Sequence, residues 1–299
     1  MKSPLISFIM PVWHPREEWL REAVASTLDQ EDCDLELVVV DDGNREPVTK
    51  LLDEIDDPRL HVIRVEHGGA YAARNAGLAV ARGRWVRFVD ADDVLERGST
   101  ARLIRLTGGI DDVISYGSTV VCNEKLRPSF EIASDIQGHA DEACVVAEFD
   151  VRVVSMLFPR RILDLIGEWD RSFEISGDWE YVLRALEHGR VRGERATATY
   201  YRRYDASMTK VADVAVGEEA WRRILAGYFG RHPEKRGTAL ERRAERALLL
   251  DRAAAYAYVG ERRLALKGLR RLAGVDPAAA TRLAVALGRR EAERFFGRA

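Results

Sequence analysis

Three apolar runs near the start of the chain each stop at a marked sequence, and this feature restricts the fold most. Leu5–Met10 ends at Pro11-Val12-Trp13, Leu35–Val40 at Asp41-Asp42-Gly43-Asn44, and Trp85–Val89 at Asp90-Ala91-Asp92-Asp93. Short apolar runs closed by turn signals read as strands buried on both faces. Between them, Glu17–Gln30 carries Trp19, Leu20, Ala23, Val24, Thr27 and Leu28 at helical spacing, and Ala70–Arg82 is an alanine-rich helical stretch. A helix is also expected over Val48–Ile55 and an alternating strand over Leu60–Val65. Strand and helix alternating in this way predict an α/β fold: a mostly parallel (mixed) central sheet flanked by helices. Ligands in such sheets bind beyond the carboxyl ends of the strands, so the three marked ends should open onto one crevice.

Further along, the pattern predicts a strand over Val151–Phe158, a helix over Arg160–Ile166 closed by Gly167, a helix from Asp178 to Glu187, and a late strand over Thr197–Arg203. From about Val216 helical segments dominate: Glu218–Phe229, Leu240–Val259, Arg262–Ala273 and Pro277–Phe296. The expected organisation is therefore an α/β domain over 1–215 and a C-terminal helical region over 216–299. Charge divides in the same way: residues 216–299 hold 19 basic and 10 acidic side chains, whereas the first 215 hold 27 and 39. The positive tail reads as an Arg-rich solvated surface, or as a face for phosphates or an anionic membrane. Overall the net charge of -3 gives no reason to expect nucleic acid.

With 46% apolar and 32% charged residues, a packed globular protein is expected. Three cysteines (Cys33, Cys122 and Cys144), with no CxxC pair, suggest neither a disulfide framework nor a zinc site. The first apolar run is too short for a secretion signal and nothing approaches ~20 apolar residues, so a cytoplasmic setting is the default expectation.

Three segments carry candidate chemistry. Carboxylates of Asp90 and Asp92 at a strand end supply the hard oxygen ligands that a divalent cation on a diphosphate needs. The plain alternative is an acidic turn with Asp93 capping a helix. Asp41 or Asp42 could accept from a base N–H or a ribose hydroxyl, or form an ordinary Asp/Asn turn. Gly177-Asp178-Trp179-Glu180-Tyr181 places a carboxylate at a helix start, where Asp178 could serve as general base or simply as N-cap. His67-Gly68-Gly69 reads as a flexible loop, His14 and His139 are lone histidines, and Trp169 and Trp179 read as core or acceptor-wall residues.

Taken together, these segments resemble the inverting glycosyltransferases of family 2, which have the GT-A fold. The resemblance lies in Phe8–Trp13, in Ala23–Gln30, in Leu35–Gly43 and in Ala72-Ala73-Arg74-Asn75-Ala76-Gly77-Leu78. It continues through the DxD-like Gly83–Asp93 and through Gly167-Glu168-Trp169-Asp170 to Gly177–Arg184, covering about Leu5 to Thr209. One departure stands out: many members have Glu-Asp at the base motif, where this chain has Gly177-Asp178.

The resemblance implies transfer of a sugar from a nucleoside-diphosphate sugar, UDP by default, to a hydroxyl acceptor: a glycan, a lipid-linked sugar or a small metabolite. It implies that Pro11, Val12 and Trp13 form the nucleotide loop, that Asp41 and Asp42 meet the base, and that Arg74 positions the nucleotide. Asp90, Ala91 and Asp92 would form the DxD segment holding Mg²⁺ or Mn²⁺, with Asp93 a further metal ligand. Asp178 would be the base with Glu180 in reserve. Arg202 or Arg203, in the stretch Tyr201-Arg202-Arg203-Tyr204…Ser207-Met208, would neutralise the leaving group. Two alternatives stay open. A sugar nucleotidyltransferase would want a Gly-rich basic loop where Val12-Trp13-His14-Pro15 stands, and a non-catalytic binding module would use the helical tail. That tail could also pack on the sheet, contact a membrane peripherally or form a homodimer.

Overall fold

The structure is a computed structural model that describes residues 5–204 and 214–296. The expected Ser207-Met208 contribution lies outside the described residues.

β1 (Ile6–Val12), β2 (Leu35–Asp42), β3 (Leu60–Val65) and β4 (Trp85–Phe88) are parallel neighbours in the order β3-β2-β1-β4. Alternation along β2 shows why the middle of this central strand is apolar. Leu37 and Val39 join the core cluster of α1 (Glu17–Leu28), through Leu20, Ala23 and Val24. Val38 and Val40 join a second cluster with Ala73 of α2 (Ala70–Val80). With a helix packed on each cluster, both faces of the strand centre are apolar, and its polar residues Glu36, Asp41 and Asp42 stand toward its two ends. All of β2 is buried.

The sheet then turns mixed. β8 (Met156–Pro159) runs antiparallel to β4 and to β6 (Val113–Cys122), which also pairs antiparallel with β7 (Pro128–Ile132). β9 (Arg190–Arg202) is parallel to β6, and β5 (Val94–Leu95) closes the edge antiparallel to β9. Between these strands lie α3 (Ser99–Thr107), the short α4 (Asp141–Val145), α5 (Arg160–Ile166) and α6 (Gly177–Leu186).

Several expectations are corrected. Val48–Ile55 is not an α-helix but one 3-10 turn over Val48–Leu51, with Val48 and Leu52 buried and Leu51 and Ile55 half-buried against the core. In Val151–Phe158, a 3-10 turn (Val153–Ser155) precedes β8. β9 begins at Arg190, seven positions before the expected start, because pairing with Val113–Tyr116 recruits polar residues.

The described residues form two compact units: 5–141 with 149–204, and 142–148 with 214–296. In the second unit, α7 (Val214–Arg231) buries Trp221, Ile224, Leu225 and Phe229, and α8 (Ala239–Tyr258) buries Leu240, Ala244, Leu248 and Leu249. The Tyr256 hydroxyl donates to Glu218 at 3.0 Å and ties these helices together. α9 (Arg262–Val275) and α10 (Pro277–Phe296) complete it, with Arg246 bridging to Asp276. Among the described residues no helix is long and apolar enough to cross a membrane.

Candidate active site

Because β1, β2 and β4 are parallel and adjacent, their carboxyl ends lie along one edge of the sheet. Asn44 stitches two of them together: its Nδ2 donates to the Val12 carbonyl at 2.9 Å, and its Oδ1 accepts the His14 N–H at 2.8 Å. Trp13 projects beyond this stitch, 44% exposed, stacked on His67 at 3.8 Å. Pro11 and Val12 remain in the strand, with Val12 wholly buried.

Asp41 and Asp42 are both buried, and protein donors occupy both carboxylates. Asp41 accepts from the Asn44 N–H at 2.9 Å and the Val48 N–H at 3.1 Å. Burial would raise its pKa, but these bonds outweigh it and hold the carboxyl below the usual range. Asp41 thus organises the turn. The Asp42 carboxylate accepts from Gly68 N–H at 2.9 Å and Gly69 N–H at 3.0 Å, and His67 Nδ1 lies 2.9 Å away. The stretch His67-Gly68-Gly69 is therefore pinned to the end of β2.

After β4 the chain turns sharply, with Asp93 N–H donating to Asp90 O at 3.2 Å. Asp90 accepts from Arg74 Nη2 at 2.6 Å. Asp92 is half-buried and bonded by the Tyr204 hydroxyl. Burial and the charge of Asp90 raise its pKa to about 6. Asp93 differs: it is wholly buried, its Oδ1 accepts the Arg202 N–H at 2.8 Å, and its Oδ2 has no partner. Burial, then Asp92 and Asp90, push its pKa well up. This residue holds β9 against the acidic turn. Ala91 is half-buried between the two outward aspartates.

Arg202 is also buried. Its Nη2 donates to Glu22 at 2.5 Å, its guanidinium lies 4.8 Å from the Trp19 ring centre, and Nε and Nη1 have no partner. Arg203 is exposed, held by its own N–H to Cys122 O.

α2 links this edge to the Asp178 helix. Four residues of its Ala73–Gly77 stretch have distinct contacts. Ala73 is buried against the sheet, and Arg74 reaches Asp90 while lying 4.8 Å from the Trp169 ring centre. The Asn75 amide reads both backbone groups of Trp169, at 2.8 and 3.0 Å. A Cβ on Gly77 would come within 2.5 Å of Ile9 Cγ2, so only glycine lets α2 pack this close to β1. Trp169 is core rather than acceptor wall, stacked on Tyr181 at 4.0 Å and Tyr71 at 5.6 Å.

Asp178, half-buried in the first turn of α6, adjoins Tyr71, whose hydroxyl accepts the Gly177 N–H at 2.9 Å. Burial, then the charge of Asp178, raises the Tyr71 pKa to about 12. Glu180, the reserve base, is engaged by Arg184 at 2.7 and 2.9 Å. Asp90 and Asp178 are thus two ends of one chain of contacts through Arg74, Trp169 and Tyr71. Tyr71 escaped the sequence reading, as did the partners of Asn44 and Tyr204; an aromatic or amide beside a motif gives no signal of a partner dozens of positions away.

As for a divalent cation, no group of three or more His, Cys, Asp or Glu side chains gathers among the described residues. Asp90 and Asp92 nevertheless fit one. Both are accessible hard-oxygen donors, close enough for one charge to raise the other's pKa, a repulsion that a cation between them would relieve.

The family model described as glycosyl transferase family 2 matches residues 7–135. The succinoglycan biosynthesis protein ExoO of Rhizobium meliloti (strain 1021) is 36% identical over 104 residues, covering 34% of this chain and 30% of that protein. The glycosyltransferase GlyG of Streptococcus pneumoniae serotype 4 is 34% identical over 97 residues, covering 31% of this chain and 32% of that protein. EpsH of Bacillus subtilis (strain 168) is 27% identical over 187 residues, 61% of this chain. The chain spans 54% of EpsH and less of the other two. In fold, the chain is similar to S. aureus TarS 1-349 in complex with UDP-GlcNAc, at a TM-score of 0.58 and 16% identity over 84% of this chain and 81% of that one. The mixed sheet flanked by helices is that of the GT-A neighbours, and residues 7–135 are similar to glycosyl transferase family 2.

Proposed function

We propose that this protein transfers a sugar from a nucleoside-diphosphate sugar to a hydroxyl acceptor by a single inverting displacement. The contact chain from Asp90 through Arg74 and Tyr71 to Asp178 carries this reading, because it joins a pair of acidic donors to a separate carboxylate across one helical turn. The names of the relatives and the TarS complex with UDP-GlcNAc support a nucleotide-sugar donor, with UDP the default carrier.

In this reading Trp13, beside Pro11 and Val12, offers the nucleotide its exposed ring, and Asp42, with Asp41 behind it, shapes the base end of the crevice. Arg74 orients Asp90 and the diphosphate. Asp90 and Asp92 would hold Mg²⁺ or Mn²⁺, which when bound supplies Lewis-acid neutralisation of the departing diphosphate. Exposed Arg203 would add positive charge for the leaving diphosphate, and Arg202 steadies the end of β9. Asp178 takes the acceptor hydroxyl proton as the oxygen attacks the anomeric carbon. The new C–O bond forms while the old one breaks, and its electron pair leaves with the nucleoside diphosphate. The residues' contribution is positioning and charge stabilisation.

Turnover of UDP-, GDP- and dTDP-sugars with Mn²⁺ tests the activity. Asp178→Asn should lower kcat by roughly 10²–10⁴ while nucleoside diphosphate binding is kept. Undiminished turnover in that variant would remove Asp178 from its role.

A further inference from the structure

α6 begins without an ordinary cap. The residue at its N-cap, Ser176, has a left-handed backbone (φ 61°) and its side chain accepts no helix N–H. Helix starts leave N–H groups that need an acceptor. Here the acceptor comes from 106 positions away: the Tyr71 hydroxyl takes the Gly177 N–H at 2.9 Å.

Gly177 is shaped by the same ring. A Cβ there would stand 2.6 Å from Tyr71 Cε2 and 2.6 Å from Cζ, a separation that side chains do not adopt. The glycine and the tyrosine are therefore complementary: the absent side chain leaves the volume that the phenol fills. Tyr71 is itself held, stacked parallel to Trp169 (8° between planes), while Arg74, one turn on, lies over Trp169 and grips Asp90.

We propose that Tyr71 is the positioning residue for Asp178, its hydroxyl capping the helix start and its ring requiring glycine at position 177, so that one turn of α2 sets both the Asp90 side and the Asp178 side of the site. The inference deepens the function proposed above and rests on Asp178 being the base. Tyr71 touches no reacting atom in this scheme; it acts through the carboxylate it places. A misplacement on the ångström scale can cost about a hundredfold in rate, so a single cap is enough to matter.

Two measurements on the full chain test it. Amide hydrogen exchange read across Ser176–Tyr181 should rise about three- to tenfold in Tyr71→Phe, since the ring is kept and one acceptor is lost. Exchange at Trp169, held by Asn75, should be unchanged. The second is a double-mutant cycle of Tyr71→Phe with Asp178→Asn, using whichever of UDP-GlcNAc, UDP-glucose, GDP-mannose or dTDP-glucose the native chain turns over fastest with Mn²⁺. Tyr71→Phe alone should lower kcat about ten- to a hundredfold with donor KM kept, and should add nothing in the Asp178→Asn background. Unchanged exchange at the helix start, or an equal loss in both backgrounds, overturns the role of Tyr71 while leaving Asp178 as base. Native turnover in Asp178→Asn overturns the base reading, and the Tyr71 role with it. Should none of the four donors turn over, the exchange result alone decides the cap.

Discussion

Asp92 and Asp93 are neighbours in sequence, yet burial gives them different work. Asp92 keeps access to the crevice, whereas Asp93 holds the Arg202 N–H inside the protein. Asp92→Ala should abolish cation-dependent binding of UDP, read by calorimetry with and without Mn²⁺. Asp93→Asn keeps an acceptor for Arg202 and removes a buried carboxylate oxygen with no partner, so its melting temperature should be equal to or above the native value, with Mn²⁺-dependent binding retained. Loss of that binding would return Asp93 to the cation. The acidic turn itself was legible in the sequence, because a strand running into clustered aspartates is a local signal. Which aspartate faces the crevice was not, since β9 decides it from 109 positions away. Arg87 makes the same point. It read only as a strand residue, but its buried guanidinium donates to Ser99, Thr100, Thr199 and the Ala198 carbonyl, and burial lowers its pKa to about 9.

Among the elements, α2 does the most for the site. Its position on the sheet depends on Gly77, so Gly77→Ala should push the helix away from Ile9, destabilise the chain by about 1–3 kcal/mol and lower turnover as the Arg74–Asp90 contact lengthens. Denaturant unfolding and kcat measured side by side check this, and a variant of native stability and rate would contradict it. The helical period of this stretch was readable, and the resemblance marked its Arg-Asn core. The Val48–Ile55 segment misled because a few apolar residues at helical spacing do not reveal how much core is available to receive them.

For the molecule as a whole, the sheet is secured at the edge away from the site by Glu36. Its carboxylate accepts from Ser7 Oγ at 2.6 Å, from the Arg82 N–H and from the Arg82 guanidinium. Burial would raise the Glu36 pKa, but these donors outweigh it and hold it below its ordinary value. A depressed carboxyl stabilises the fold above the unfolded-state pKa and loses that contribution as pH falls through the folded one. Glu36→Gln should therefore be less stable than native by roughly 1–3 kcal/mol near neutrality, a gap that closes as pH drops below about 4. Urea midpoints at pH 7 and pH 3 test this, and a gap that stays constant would rule it out.

What the sequence alone determined is whatever a local period encodes: the buried parallel strands, the helices between them, the polar signatures at their ends and the helix-rich tail. Those patterns repeat every two or 3.6 residues and need no distant partner to be recognised. Only the tertiary structure decided that β4 turns to an antiparallel neighbour, that Asp41 and Asp93 face inward, and that Tyr71 meets Gly177. Each of these depends on two surfaces brought together by the packing of the whole sheet, and a partner chosen by packing leaves no periodic trace in the chain.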